Sequence, residues 1–163
     1  MDEVWSGLRA LVLLGVANAA PVAAKRVLGA RWNAPLDGGL RFVDGRPLLG
    51  PAKTVRGVVA AVLATTLAAA LLGLPAALGA TVGAAAMAGD ALSSFVKRRL
   101  GVAPSGRATG LDQVPEALLP LLVARGALDL SWLQVATVTA AFFVLQQPVA
   151  WLAHRLGLHE RPY

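Results

Sequence analysis

The sequence predicts an all-α integral membrane protein of about five transmembrane helices, with the N-terminus outside, the C-terminus inside and two functional cytoplasmic loops. Three observations predict it. The 163 residues are 56% hydrophobic yet only 6% aromatic. Their mean hydropathy of +0.63 is too high for an ordinary soluble domain and is carried by Ala, Leu, Val and Gly. The apolar residues gather into runs separated by polar, Gly- and Pro-bearing segments. Thirteen of the fifteen Lys and Arg residues fall in three clusters, with seven at 25–56, four at 97–107 and two at 155–161. Basic loops alternating with apolar runs follow the positive-inside rule. Nucleic-acid binding, the other common meaning of a +6 net charge, calls instead for polar surfaces interleaved with aromatics. The chain has no cysteine, and His154 and His159 both lie near the C-terminus. Disulfides, thiolate chemistry and a multi-histidine metal site are therefore unsupported.

Residues 1–163 read as a single membrane domain. The first span is 4–24. Ala17-Asn18-Ala19 resembles a signal-peptidase site, but the run opens with Asp2 and Glu3 and is followed by Lys25-Arg26. That is the reverse of a secretory signal, and it predicts a retained helix entering from outside. Asn18 and Pro21 lie near its inner end. The first cytoplasmic loop, 25–55, has no helical period and is dense in Gly and Pro. Asp37-Gly38-Gly39 and Asp44-Gly45 are turn chemistry, and Trp32 suits an interfacial anchor. Loops of this length are usually functional or disordered. Arg31, Arg41, Arg46 and Lys53 suit an anionic ligand or lipid headgroups.

The second span, 56–73, starts at Thr54, a predicted N-cap flanked by Lys53 and Arg56. Backbone N–H groups at such a helix start favour phosphate. The order GxxxxGK[ST] of a Walker A loop is missing here. Gly73-Leu74-Pro75 predicts an outer turn, and the third span, 75–96, carries Gly79 and Gly83 at the spacing that lets membrane helices approach closely. The second cytoplasmic loop is 97–113. The fourth span, 114–130, is the weakest: Pro115 and Pro120 interrupt it and Glu116 lies near its inner end, so it is predicted to kink or re-enter. The fifth span, 131–153, is bracketed by Trp132 and Trp151, with Arg155 and Arg161 beyond.

The stretch 89–113, GDALSSFVKRRLGVAPSGRATGLDQ, carries the chemistry. On a helix, Ser94, Lys97 and Arg98 lie 4, 7 and 8 positions beyond Asp90 and share its face. Ionisable residues at the edge of a membrane segment mark functional sites by default. Snorkelling of Lys97-Arg98-Arg99, with Asp90 as counter-ion, accounts for the cations alone equally well. The topology gathers Lys53, Arg56, Lys97, Arg98 and Arg99 beside Asp90 and Asp112, with Glu116 one turn from Asp112. Cations clamp phosphates, and carboxylates hold Mg2+ against substrate phosphate oxygens. With no nucleophile beside a base, the inventory fits phosphoryl or nucleotidyl transfer by positioning and charge neutralisation.

In ANAAPV at 17–22, PLDGG at 35–39, DGRPLLGPAKTVRG at 44–57, GDALSSFVKRRLG at 89–101 and LDQ at 111–113, the chain resembles the CDP-archaeol synthases. These are integral membrane cytidylyltransferases related to the CDP-diacylglycerol synthases. The resemblance implies five transmembrane helices in the cell membrane, an active site facing the cytoplasm, and the substrates CTP and a lipid phosphate with Mg2+ as cofactor. The phosphate of an unsaturated diether glycerol phosphate would attack the α-phosphate of CTP, releasing pyrophosphate and leaving a CDP-lipid for phospholipid biosynthesis. It implies catalytic roles for Asp90, Asp112 and Lys97, and metal binding by Asp90 and Asp112, with Glu116 as a further candidate. Lys53, Thr54, Arg56, Ser94, Lys97, Arg98 and Arg99 would bind the CTP phosphates, while Asp37, Asp44 and Gln113 are further loop candidates. The chain departs from the family pattern at Val55 (usually Trp), Gly38 (usually Phe) and Pro47 (usually basic). Pro115 stands where another acid is usual, and Glu116 offers a carboxylate one position later.

Two other acceptors or roles compete with this reading. A CDP-diacylglycerol-type synthase would act on phosphatidic acid. A non-catalytic membrane anion carrier or assembly protein would use the basic loops but leave Asp90 and Asp112 unexplained. The DGxxAR pattern of CDP-alcohol phosphotransferases is absent, since Asp44-Gly45 is followed by Arg46-Pro47.

Overall fold

Five helices follow one another in the computed structural model, which describes residues 2–103 and 110–155. Arg107, His159 and Arg161 lie outside the described residues, as do the side chains of Asp2, Glu3, Trp151 and His154. Helix α1 is Asp2–Leu28, four residues longer at its C-terminal end than the expected span, so Lys25 and Arg26 sit in its last turn rather than in a loop. Helix α2 is Val55–Leu71, and Thr54 caps it as expected, its side chain accepting the Gly57 N–H. Helix α3 is Ala76–Arg99 and therefore includes Lys97, Arg98 and Arg99 in its last turn. The expectation that the second loop begins at 97 is corrected to Leu100. Cations are favoured at a helix C-terminus, where unpaired carbonyls and the dipole attract them, so the helix extends through the triplet.

Helix α4 is only Gln113–Ala124, and 125–130 forms turns, so the expected span 114–130 is not one helix. Twelve residues at 1.5 Å each rise roughly 18 Å, short of the ~30 Å hydrocarbon core. Pro115 stands in the first turn, where a missing N–H costs little. Helix α5 is Trp132–Arg155. Among the described residues, Val4–Leu28 and Ala76–Arg99 are long and apolar enough to cross a membrane, while Val55–Leu71, Gln113–Ala124 and Trp132–Gln146 are shorter apolar helices.

The packing follows side-chain size. On α2 the buried positions are Gly57, Ala61, Thr65 and Ala69 with Arg56, whereas Val55, Val59, Leu63, Leu67 and Leu71 point outward. Small residues inward and large apolar residues outward is the pattern of a helix solvated by lipid. A β-carbon on Gly79 would collide with Thr65, Thr66 and Ala69, and one on Gly83 with Thr65, Ala61 and Val62. These glycines are where α3 meets α2. The large apolar core of Leu13, Leu14, Val82, Leu121, Leu128, Val135 and Phe142 draws on the first half of α1 and α3, most of α4 and the start of α5. Towards the C-terminal ends of α1 and α3 and the start of α2 lies a second cluster of small residues and one methionine, Ala17, Ala61, Ala86 and Met87. One end of the bundle is thus packed solid and the other is left open.

The segment 29–54 is folded. Its backbone pairs with itself at two isolated bridges, Pro35 with Thr54 and Arg41 with Pro47. The Leu36 N–H donates to the Lys53 carbonyl and the Val55 N–H to the Ala34 carbonyl. Asp37 organises it: Oδ1 accepts the Gly39 N–H, and Oδ2 accepts those of Leu49 and Gly50. Burial pushes the Asp37 carboxyl up, but these N–H groups outweigh it and hold the group below its ordinary 3.8.

Two outcomes follow from this packing. Gly83→Leu should cost about 1–3 kcal/mol or more by overpacking, seen as a lower unfolding midpoint in detergent, with Gly126→Ala, whose surroundings are open, unchanged. Because Asp37 is depressed in the fold, its contribution is present above the unfolded value of 3.8 and fades as pH falls through the lower folded value. Exchange protection of the Leu49 and Gly50 amides should fall below pH 4 in the native chain and be low at all pH in Asp37→Ala.

Candidate active site

The open end of the bundle is a cleft of about 540 Å³ between the C-terminal turns of α1, the folded loop, the start of α2 and the middle of α3. Lys53, Thr54, Arg56 and Asp90 line it, together with Asn18, Pro21 and Lys25 from α1 and Asn33 from the loop. Its walls grade from these polar groups to Val22, Val58 and Met87.

At its α3 wall, Lys53 Nζ lies 2.5 Å from Asp90 Oδ1, both side chains being 21% exposed. The partner of Asp90 is therefore a lysine 37 positions away and not a cation of its own helix, as the snorkelling alternative had it. Glu116 completes the junction. It is buried and lies within electrostatic reach of Asp90, Lys53 and Asp112. Gly89 makes this possible: a β-carbon there would run into the backbone of Pro115 and Glu116. The first turn of α4 thus rests directly on α3, one residue before Asp90.

The other expected residues gather on a neighbouring face. Lys97 Nζ pairs with Asp112 Oδ1 at 2.5 Å, tying the end of α3 to the start of α4. Gln113 is buried and its Oε1 accepts the Gly110 N–H at 2.7 Å. Ser94 is buried in α3. Arg98 donates to the Ala103 carbonyl, and its Nε is buried without a hydrogen-bond partner among the described residues. Arg99 binds Asp44 at 3.0 Å and the Pro47 carbonyl at 2.6 Å. None of these six lines the cleft. Arg56 does, but its guanidinium also holds the Gly29 and Arg31 carbonyls and Asn33 Oδ1. Asp37 and Asp44 shape the loop.

Asn18 shows how a polar side chain is accommodated at this depth. Its Nδ2 donates to the Leu14 carbonyl at 3.0 Å; because that carbonyl can only accept, the amide orientation is fixed. Lys25 and Asn33 were not singled out as site residues by the sequence. Lys25 looked like a topological charge, and Asn33 carried no signal until the loop folded.

Two carboxylates held near one another repel unless a cation stands with them. Mg2+ binds through one or two carboxylates and fills its remaining positions with water and phosphate oxygens, and Asp90 and Glu116 fit that donor set. Among the described residues, no three acidic, histidine or cysteine side chains form a ready-made cage, and Asp112 is engaged by Lys97.

The matches to known proteins cover nearly the whole chain. The CarS-like family model, described as CDP-archaeol synthase, matches residues 8–82 and 74–163. The CDP-archaeol synthase of Hyperthermus butylicus is 35% identical over 156 residues, 90% of this chain and 89% of that one. That of Thermofilum pendens is 37% identical over 158 residues, 91% of this chain and 76% of that one. That of Saccharolobus solfataricus is 32% identical over 135 residues, 79% and 81% respectively. A solved structure described as an intramembrane enzyme for archaeal membrane lipids biosynthesis superimposes with a TM-score of 0.71 at 32% identity, covering 85% of this chain and 90% of that one. With both its sequence and its five-helix fold matched along most of their length, the chain is a membrane protein that belongs to the CDP-archaeol synthase family.

Proposed function

We propose that this protein is a CTP-dependent cytidylyltransferase that activates a lipid glycerol phosphate, an archaeol-type diether in preference to a diacyl lipid, to a CDP-lipid. The observation that carries the reading is the junction of Lys53, Asp90 and Glu116, where a cation and two acids from three segments meet at the wall of a cleft that grades from polar to apolar. A half-polar, half-lipid substrate needs such a place. Family membership supports the choice of nucleotide and lipid class.

In this mechanism an oxygen of the lipid phosphate attacks the α-phosphorus of CTP. The bond from that phosphorus to the oxygen bridging to the β-phosphate breaks, and pyrophosphate leaves with the electron pair. Asp90 and Glu116 would hold Mg2+, which when bound neutralises phosphate charge. The triphosphate competes with Asp90 for Lys53, whose ammonium then follows the charge onto the leaving pyrophosphate. Lys25 and Arg56 add positive potential along the cleft. The N–H groups at the start of α2, behind the Thr54 cap, point to the same end. Lys97, held by Asp112, fixes α4 against α3 so that Glu116 stays on Asp90. Most of the rate enhancement comes from this prearranged charge, since phosphoryl transfer asks little covalent chemistry of the protein.

We place the basic ends of α1 and α3 and the start of α2 at the cytoplasmic face of the cell membrane, with the N-terminus outside and the C-terminus inside. Arg125 is left at the outer face, where it stacks over Trp132 at 4.2 Å, a common way to hold a cation at an interface.

Asp90→Asn and Glu116→Gln should each lower CTP-dependent pyrophosphate release by about a hundredfold or more while leaving folded protein in detergent. Asp129→Asn, at the opposite end of the bundle, should be near wild type. Near-wild-type rates in both site variants would remove the junction from the chemistry. Reporters fused after Gly73 and Gly101 should read external and cytoplasmic; the reverse result would put the cleft on the wrong side for CTP.

A further inference from the structure

The tip of the folded loop and the last turn of α3 hold each other by a reciprocal pair of arginines. Arg46, on the loop, donates through Nη1 to the Arg98 and Arg99 carbonyls at 3.3 and 2.7 Å. These are among the helix-terminal acceptors that have no partner within α3. Arg99, on α3, returns the contact, donating through Nη1 to Asp44 Oδ1 at 3.0 Å and through Nη2 to the Pro47 carbonyl at 2.6 Å. Its guanidinium lies over the rings of Phe42 and Phe95, at 4.6 and 5.0 Å, and the two rings meet edge to face. Asp44 Oδ1 also accepts the Arg46 N–H, which joins the two halves. A planar, forked, ring-stacking cation suits this use, and lysine would not replace it.

The clasp is connected to the reaction centre through the loop. From the tip, the Leu48 N–H donates to Leu40 and the Lys53 N–H to Gly50, while Asp37 grips Leu49 and Gly50. That ladder ends at Lys53, whose ammonium meets Asp90. Both ends of the ladder are thus fixed to α3, at Arg99 and at Asp90. Neither Arg46 nor Arg99 lines the cleft, and both terminal nitrogens of the Arg99 guanidinium are taken by the loop.

We propose that Arg46 and Arg99 are positioning residues for cytidylyl transfer: their reciprocal clasp, closed by Asp44, sets the loop so that Lys53 stands on Asp90, and Arg99 is not a nucleotide ligand. The link to catalysis rests on the function proposed above, whereas the clasp itself stands on geometry alone.

The test combines steady-state kinetics with limited chymotrypsin digestion of the full chain in detergent, cleavage after Phe42 being read by mass spectrometry. Arg46→Gln, Arg99→Gln and the loop-tip variant Asp44→Ala should each lower kcat about tenfold, as expected for a small misplacement of a reacting group. KM for CTP should stay near wild type, and cleavage after Phe42 should be faster in all three. Arg46→Gln combined with Arg99→Gln should cost little more than either alone, since residues in one network do not add. In a Lys53→Met background, Arg46→Gln should cause no further loss. A large rise in CTP KM for Arg99→Gln, with Arg46→Gln and Asp44→Ala silent, would make Arg99 a nucleotide ligand and overturn the proposal. So would multiplicative losses with Phe42 still protected. Should the wild-type chain release no pyrophosphate, the proposed reaction fails while protection of Phe42 still decides the clasp.

Discussion

The structure depends on the close approaches that three glycines of α3 permit. Gly79 and Gly83 let the backbone of α2 lie against that helix, and Gly89 does the same for the first turn of α4. In lipid there is no water to drive apolar faces together, so association rests on close packing and on polar contacts that close packing permits. The same approach that supplies van der Waals contact at Gly89 delivers Glu116 to Asp90. Larger residues are turned outward on α2, where lipid solvates them. The open end follows directly: small side chains among Ala17, Ala61 and Ala86 leave space between the helix ends, and the folded loop lines it.

Placing charge in and beside that opening is costly unless each ion finds a partner, and removing one partner leaves the other exposed to the full penalty. The site meets this by pairing across segments. Lys53 with Asp90 joins loop to α3, Lys97 with Asp112 joins α3 to α4, and Arg99 with Asp44 joins α3 back to the loop. Each pair therefore positions a segment as well as neutralising a charge. In the proposed reaction a phosphate ligand would enter a region where cations are already fixed, and so gain attraction without first having to order them.

Much of this was legible in the sequence because it is local. The five helices follow from apolar run length, the start of α2 from Thr54, and the turns at Asp37 and Asp44 from side chains that hydrogen-bond two residues on. The close α2–α3 contact follows from glycine spacing. What could not be read is the choice among partners far apart in the chain. Helical periodicity put Ser94, Lys97 and Arg98 on the face of Asp90, yet the acid pairs with Lys53, and Lys97 pairs with Asp112. Arg46 and Arg99 lie 53 positions apart and carry no pattern that links them. Helix ends were misplaced for a related reason. The charges of Lys25, Arg26 and Lys97–Arg99 looked like loop, whereas cations stabilise the final turn of a helix. Pro115, a departure from the family pattern, takes on a structural meaning, since its backbone is the surface that Gly89 receives.

Pyrophosphate release by the purified protein is the measurement closest to the central claim. It would be followed with CTP, Mg2+ and diether or diacyl glycerol phosphates, with ATP as the control nucleotide. The account predicts release that requires CTP and a lipid phosphate, is fastest with the diether, and matches CDP-lipid formed one for one. No release with any lipid, from protein shown to be folded, would contradict it and leave the charged cleft to a non-catalytic anion-binding role.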